Sequence, residues 1–522
     1  MNTARPLAAA VGVVDRLASR RGAVLLFALG LAVYAIRAVA WPLKTGRDLD
    51  EYLYAWIQLF DRHVLLPWSL LFRAPATPVV SGVLLDVAGG ALAEPALAIL
   101  FAGSVVAWAV AAHAFGPRVA VLTGAALLLY PGYGAMFHEL ASETVFAAAF
   151  GLWALLVVRA SLRPSTGRFV GVGLVTALLV LARPGNAVLL PFALFPLLLR
   201  GAWRARATWA AAMAAAAILP LAAWAVHNGI RFGEWKVARG GNAVVPFYRA
   251  FLTDRIVSPD HGPASRRLGR AVREHLLTRD PYKSYGVTEE QVFSTGSPRV
   301  HEDMYLLSDE VFGWDTDYSV LRDAALEAIR AEPRRYASGV LKTIWLQLSE
   351  PFYRVQDEAP EPTRTEPNGL PQPSEGQLIP GGQNLWISRP DNSIREVWTS
   401  ATEHHFAFAD PEDRPRFERV QRRLDELFAA LPQRDGNATL ALRLNQLSRW
   451  YPRLLLWLAV GLVAFAIRRP RLGRVAFVLA GAALVVVCFN ALGQPADRHF
   501  VLPVAPAFIV LAAVGLLGTR QE

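Results

Sequence analysis

Three carboxylates lie within one helical turn in the segment GRDLDEYLYA: Asp48, Asp50 and Glu51. A carboxylate placed beside a substrate can accept a proton from an attacking hydroxyl group, as a general base does. Asp48 and Glu51 also have capping-box spacing, and acidic residues favour the start of any helix. Asp48-Leu-Asp50 resembles a DxD metal motif, whose hard oxygen ligands suit Mg²⁺ or Mn²⁺. These residues alone leave catalysis, helix capping and metal binding open.

The carboxylates directly follow an apolar segment that is long enough to cross a membrane. A transmembrane helix needs about 20 apolar residues, and 53% of the 522 residues are hydrophobic. We predict an all-α polytopic membrane protein with a sizeable aqueous part and ten spans, at 23–42, 95–115, 119–133, 140–158, 169–181, 186–199, 209–226, 451–467, 475–492 and 499–517.

The basic residues orient these spans. The net charge is +10, and the arginines cluster beside alternate span ends, which is typical of cytoplasmic connections rather than of a nucleic-acid-binding surface. Both termini are therefore predicted to be cytoplasmic. Three parts follow: a seven-span core at 1–228 whose first outer loop is 43–94, an extracytoplasmic region at 229–449, and three spans at 450–522.

The extracytoplasmic region is predicted to be mainly helical. Apolar positions recur at helical spacing in 319–348, and 262–280 and 414–431 are also expected to be helices. The stretch 357–392 is rich in Pro, Gly and Asn, which predicts an extended loop. Residues 440–450 are expected to lie along the membrane interface.

Several motifs resemble one family in their order and topology. They are DEYLYA at 50–55, RAPATPVVSGVLLDVAGG at 73–90, LASETVF at 140–146, ARPGN at 182–186 and DRHFVLPVAPAF at 497–508. Together they resemble the GT-C superfamily of polyprenyl-phosphate-sugar glycosyltransferases, especially the family 39-like branch of protein O-mannosyltransferases and the lipid A aminoarabinose transferase. The resemblance implies a GT-C bundle with juxtamembrane helices in the first outer loop.

The resemblance also implies roles for residues of the first outer loop. In this branch an Asp-Glu pair followed by a tyrosine opens a juxtamembrane helix, and Asp50, Glu51 and Tyr54 match that pattern. Asp50 would be the catalytic base, with Glu51 and Asp48 beside it and Tyr54 in a supporting role. The branch does not generally need a metal, so no cofactor is expected to be required.

The implied reaction is the transfer of a sugar with inversion. An acceptor hydroxyl attacks the anomeric carbon, a carboxylate takes the proton, and the lipid phosphate leaves as an anion. Arg183 and Arg498, at outer ends of spans, are candidates for binding that phosphate, and His499 and Lys44 are lesser ones. Ordinary snorkelling of the arginines to the interface is the alternative.

A second group of polar residues opens the fourth predicted span. Glu143 is a candidate for orienting the acceptor, with His138 and Glu139 beside it, because a charged group within a span is costly. A solvated helix start after Ser142 is the alternative for Glu143.

Two other functions suit a membrane protein of this kind. One is transfer of an oligosaccharide from a lipid pyrophosphate donor, and the other is transport of a lipid-linked sugar across the bilayer. The sequence favours single-sugar transfer at the outer face of a bacterial cytoplasmic membrane, with a glycan, lipid or protein as acceptor and no nucleic-acid partner.

Overall fold

The computed structural model describes residues 20–519, apart from 63, 66, 279–281, 284–285, 295, 297, 351–377, 387–393, 401–403, 433, 469 and 471. The elements of the N-terminal part are α1 (Arg20–Ala40), β1 (Lys44–Thr45), α2 (Leu49–Gln58), α3 (Pro67–Phe72), α4 (Ala76–Gly82), α5 (Ala93–His113), α6 (Pro117–Leu129), α7 (Pro131–Met136), β2 (Glu139–Leu140), α8 (Ser142–Leu162), α9 (Thr166–Ala182) and α10 (Trp203–Phe232). A π-helical turn, Val83–Val87, extends α4, and a 3₁₀ helix, Pro184–Leu198, lies between α9 and α10.

The protein is a polytopic helical membrane protein. Within the described residues, five helices are long and apolar enough to cross a bilayer, namely Arg21–Ala40, Ala93–His113, Ser142–Leu162, Trp203–Phe232 and Gly473–Gly493. Helical elements also form at the other five predicted spans, where the apolar runs are shorter. At Pro184–Leu198 the helix is 3₁₀, and 15 residues rising about 2.0 Å each extend about 30 Å. That length matches the hydrocarbon thickness.

The connections that were predicted to lie outside meet at one end of the bundle, here called the loop end. The backbone of Lys44 pairs with Glu139 in a parallel two-stranded ladder. The Thr77 hydroxyl donates to the carbonyl oxygen of Ala182 at 3.0 Å. At the opposite end, the Thr519 amide donates to the Phe115 carbonyl at 3.3 Å. The helices therefore alternate in direction as the arginine pattern predicted, while the side of the membrane on which the loop end lies stays a prediction.

Close backbone approach holds α9 against α10. A Cβ atom at Gly173 would overlap the Met213 carbonyl oxygen, which belongs to the backbone and cannot turn away. Small residues permit this kind of helix contact in membranes. Gly173→Ala is expected to destabilise the protein by about 1–3 kcal/mol, as overpacking does, and to lower its melting temperature in detergent.

Gly171 provides the matched control for this prediction. It lies on the same helix, and a Cβ atom there would meet only Leu156 Cδ1, at an ordinary 4.0 Å. Alanine is a better helix former than glycine, so Gly171→Ala should leave the melting temperature unchanged or slightly raised. Equal melting temperatures for the two variants would show that the α9–α10 approach is not tight.

The region after α10 is mainly helical, and its helices are α11 (Gly241–Tyr248), α12 (Pro263–Ala271), α13 (Glu289–Ser294), α14 (Pro298–Phe312), α15 (Ser319–Ala331), α16 (Pro333–Ser349), α17 (Asp413–Ala429) and α18 (Ala438–Ser448). The stretch predicted to be helical at 319–348 is divided at Pro333 into α15 and α16, because proline is accommodated in a first helical turn and not in a helix interior. A separate apolar core forms around Phe247, Leu268, Met304 and Leu321. The C-terminal helices are α19 (Leu454–Arg468), α20 (Gly473–Gly493) and α21 (Ala505–Leu517).

The buried Arg249 joins this region to the bundle. Its guanidinium pairs with both carboxylate oxygens of Asp254, at 2.9 and 3.0 Å. It also donates to the Thr343 hydroxyl at 2.9 Å and to the carbonyl oxygen of Ala491, near the end of α20, at 2.8 Å. The last carbonyls of a helix lack partners within the helix, so Arg249 supplies one and fixes the region to the loop end.

The extended-loop prediction for 357–392 is wrong at its C-terminal part. Residues Leu378–Trp386 form a strand, β3, which pairs antiparallel with β4 (Ile394–Ser400), and β4 pairs antiparallel with β5 (His404–Phe408). The pairing of β3 shifts register between Leu378 and Gln383, where Pro380, Gly381 and Gly382 lie. Such an irregularity lets a Pro- and Gly-rich segment join a sheet. Residues 357–377 and 387–393 lie outside the described part of the chain.

Candidate active site

The first residue of the carboxylate cluster caps α2 in an unusual conformation. Asp48 has φ 59° and ψ 22°, in the left-handed region, and its side chain makes no capping hydrogen bond. Aspartate is among the few residues that tolerate this region. The capping-box alternative is therefore wrong for Asp48, because its carboxylate accepts no hydrogen bond from the amides of the first helical turn.

Arg73 holds two of the three carboxylates. Its guanidinium lies 2.6 Å from Glu51 Oε2 and 3.2 Å from Asp48 Oδ2, and it also lies over the Tyr52 ring. Burial raises the pKa of Glu51, an effect that Arg73 opposes and Asp48 reinforces. Burial likewise raises the pKa of Tyr52 to about 12. Asp48 and Glu51 therefore form one ion-pair cluster with Arg73.

Asp50 lies outside that cluster. Its side chain is exposed, and among the described residues it has no ion-pair or hydrogen-bond partner. Residues 50, 54 and 57 share one face of α2, and Tyr54 and Ile57 on this face pack toward Phe417 and Val420 of α17. Asp50 thus lies on the face of α2 turned toward α17, while Glu51 turns toward Arg73.

A second ion pair lies where α8 and α9 reach the loop end. Glu143 is buried, with its side chain 5% exposed, and its Oε1 lies 3.3 Å from Arg183 Nη1. The Ser142 hydroxyl donates to Glu143 Oε2 at 3.2 Å. Arg183 also donates to the His499 carbonyl at 3.2 Å and lies over the Phe500 ring. The solvated-start alternative for Glu143 is wrong, and simple snorkelling does not describe Arg183, which is one-fifth exposed and held from two sides.

The two ion pairs are neighbours. Both act on Tyr52, since Arg73 lowers the pKa of its hydroxyl and Glu143 raises it. Arg47 adds a further link, since its guanidinium lies 3.8 Å from Asp48 and 3.7 Å from Asp497. The first outer loop, the start of α8 and the segment before α21 thus converge on one polar site.

The remaining predicted residues are placed as follows. Lys44 is exposed in β1, and Glu139 is buried in β2 opposite it. His138 is buried and stacks on Tyr34 at 4.1 Å, with burial and the nearby Arg37 lowering its pKa to about 3. The imidazole of His499 lies 3.9 Å from Asp497. The side chain of Arg498 lies outside the described part of the chain.

In the part of the chain that the structure describes, there is no ligand cluster for the metal considered at Asp48 and Asp50. Among the described residues, no group of three or more His, Cys, Asp or Glu side chains is arranged to hold a metal ion. Asp48 is instead bound to Arg73. Independence from metal stays a prediction.

Arg73 is a site residue that was not predicted from the sequence. It follows the apolar helix α3 directly and precedes Pro75 in the first outer loop, so a cation beside the three acids was visible in the motif. Arg47 and Asp497 were missed as well, and their contacts depend on loop geometry that sequence spacing does not reveal.

Comparison with known proteins gives a likeness to solved structures. No family model matches the chain, and no curated protein matches it. Among solved structures the chain is similar to the crystal structure of ArnT from Cupriavidus metallidurans bound to undecaprenyl phosphate, with 15% identity and a TM-score of 0.33 over 95% of this chain and 79% of that one.

Proposed function

We propose that the chain is an inverting glycosyltransferase that moves one sugar from a polyprenyl-phosphate carrier to an acceptor at the outer face of a bacterial cytoplasmic membrane, with both termini cytoplasmic. One observation carries the proposal. Arg73 neutralises Asp48 and Glu51, whereas Asp50, on the same helix, is exposed and has no ion-pair partner among the described residues. An uncompensated carboxylate beside an arginine-rich site suits a general base better than a structural role.

The proposed reaction needs a base and a site for the departing phosphate. The acceptor hydroxyl attacks the anomeric carbon and forms the new glycosidic bond, and Asp50 accepts the hydroxyl proton. The bond between the anomeric carbon and the phosphate oxygen breaks, and its electron pair leaves with the polyprenyl phosphate. Developing negative charge is stabilised most effectively by donors already held in place in a poorly hydrated site.

Arg183 is the strongest candidate for the phosphate donor. It lies at the end of α9, where a lipid headgroup would meet the loop end, and Glu143, the His499 carbonyl and the Phe500 ring orient it. Replacing Arg183 by glutamine is expected to weaken binding of polyprenyl phosphate roughly ten- to a hundredfold, because a hydrogen bond to a charged group contributes about 1.5–3 kcal/mol. Titration of the purified protein with polyprenyl phosphate, followed by native mass spectrometry, measures this.

Glu143→Gln separates phosphate binding from a structural role for Arg183. This variant removes the carboxylate that competes for the guanidinium and leaves the arginine in place. Polyprenyl phosphate should therefore bind it as well as, or more tightly than, the wild type. Equal weakening in both variants would mean that the ion pair only supports the fold.

A comparison of donors tests the class of reaction. The purified protein is given a polyprenyl monophosphate sugar, a polyprenyl pyrophosphate oligosaccharide, or a nucleotide sugar, together with cell-envelope acceptors. Turnover is expected with the monophosphate sugar alone. Turnover with the pyrophosphate donor instead would favour oligosaccharide transfer and overturn the proposal.

A further inference from the structure

A groove with a volume of about 480 Å³ lies between β5 and α17. Phe406 and Phe408 line it from the strand, where residues two apart project from the same face. Both rings pack against Phe417, with centroids 4.4 and 5.5 Å away. Phe417 of α17 lines the groove as well, so the three rings form one packed aromatic surface, in which Phe406 and Phe408 remain half-buried.

Charged side chains form the polar part of the groove, and one of them, Arg414, lies over the Phe408 ring, 5.2 Å from its centroid. Arg414, Glu418, Arg422 and Asp425 line the groove from α17, and spacings of four, four and three residues put them on one face of the helix. All four side chains are exposed. The row is about 16 Å long at 1.5 Å per residue, and its charges alternate in sign and cancel.

This combination of aromatic and charged side chains matches a carbohydrate. A sugar ring has an apolar C–H face, which packs on an aromatic ring, and a rim of hydroxyl groups, which both donate and accept hydrogen bonds. Arginine and carboxylate side chains offer paired donors and paired acceptors for such a rim. Cancelling charges argue against a highly charged polymer or an anionic membrane surface, which would call for one dominant sign.

The groove is fixed next to the proposed base. Gln421, which lines the groove, donates from its side-chain amide to the Tyr54 hydroxyl. Tyr54 lies one turn after Asp50 on the same face of α2. Ion pairs between Arg423 and Asp86, and between Arg434 and Glu94, bind α17 and the segment after it to the first outer loop.

We infer that this groove binds a saccharide acceptor and directs one of its hydroxyl groups toward Asp50. The role of the bound saccharide as an acceptor rests on the proposed transferase function. The inference also narrows the class of acceptor from a glycan, lipid or protein to a glycan. Binding of a saccharide to the groove does not itself require the donor lipid.

A binding assay with the purified full chain, in the absence of donor lipid, tests the inference. The ligands are short linear oligosaccharides made of mannose, glucose, galactose, arabinose or rhamnose. The wild type is expected to bind at least one of these series. Arg422→Ala/Asp425→Ala should weaken that binding roughly tenfold or more, since two charge-assisted contacts are lost. Phe408→Ala should also weaken saccharide binding. If Phe408→Ala fails to fold, the Arg422→Ala/Asp425→Ala variant still tests the inference, because it changes only exposed side chains.

Arg419→Ala is the matched control, because Arg419 is exposed on α17 and does not line the groove. Its saccharide binding should equal that of the wild type. The inference is overturned if the wild type binds none of these saccharides, or if the Arg422/Asp425 variant binds them as well as the wild type does.

The same proteins separate this inference from the proposed function. Saccharide binding that depends on the groove, without any sugar transfer, would leave the groove site standing and refute the transferase. Transfer with an unchanged acceptor KM in the Arg422/Asp425 variant would refute the groove site and leave the transferase standing.

Discussion

Asparagine in place of Asp50 is expected to lower the rate of sugar transfer by about 10²–10⁴-fold, the range that general-base catalysis contributes. The asparagine side chain has nearly the same shape and cannot accept the proton. Because Asp50 is exposed and has no ion-pair partner in the described part of the chain, the substitution should leave stability and polyprenyl-phosphate binding nearly unchanged. Transfer of labelled sugar by the purified variant, at saturating donor and acceptor, measures the effect.

Asp48→Asn is the matched control for this prediction. Asparagine also tolerates the left-handed conformation of residue 48, so the change removes one charge from the Arg73 cluster and keeps the backbone. Glu51 remains 2.6 Å from Arg73, and a much smaller loss of rate is expected. If Asp48→Asn lowered the rate as much as Asp50→Asn, Asp50 would not be the distinct base.

Methionine in place of Arg249 is expected to destabilise the protein by about 3–5 kcal/mol, the usual consequence of breaking a buried ion pair. Asp254, whose side chain is 5% exposed, would be left as a buried carboxylate without its partner. The Ala491 and Gln494 carbonyls at the end of α20 would also lose their donor. Chemical unfolding in detergent should show this as a markedly lower midpoint.

The double variant Arg249→Met/Asp254→Leu tests the cause of that loss. It removes both charges, and apolar replacement of a whole buried ion pair is often tolerated. Part of the stability should therefore return relative to Arg249→Met alone. A double variant that is even less stable would indicate that the carbonyl contacts of Arg249, rather than the stranded Asp254, account for the destabilisation.

The membrane helices could be predicted because lipid requires each span to satisfy its own backbone hydrogen bonds. A span is therefore a helix, and it can be recognised in the sequence as a long apolar run. The position of the carboxylates after the first span could be predicted for the same reason. The pairing of Asp48 and Glu51, but not Asp50, with an arginine could not be predicted. It depends on Arg73, 22 residues after Glu51, and on the left-handed backbone conformation of Asp48. The Glu143–Arg183 pair spans 40 residues and likewise depends on packing.

The sheet formed by β3, β4 and β5 was not predicted, because the Pro and Gly content of the segment favoured a loop more strongly than its alternation of apolar residues favoured a strand. Pro380, Gly381 and Gly382 lie within β3 and predict a loop, and they coincide with the register shift that accommodates them. In HHFAF of β5, the two phenylalanines alternate with smaller or polar residues as a strand requires. Alternation over only five residues does not distinguish a strand from a loop. Pairing with β4 makes this segment a strand.

Sealed proteoliposomes provide the most direct test of sugar transfer at the loop end. Vesicles containing the wild type are supplied with a polyprenyl-phosphate sugar labelled in the sugar, and a saccharide acceptor is added outside. We expect the label to move to the outside acceptor with release of one polyprenyl phosphate per sugar, and Asp50→Asn vesicles to lack this activity. Label that stays on the lipid and merely crosses to the other leaflet would contradict a transferase and identify a transporter.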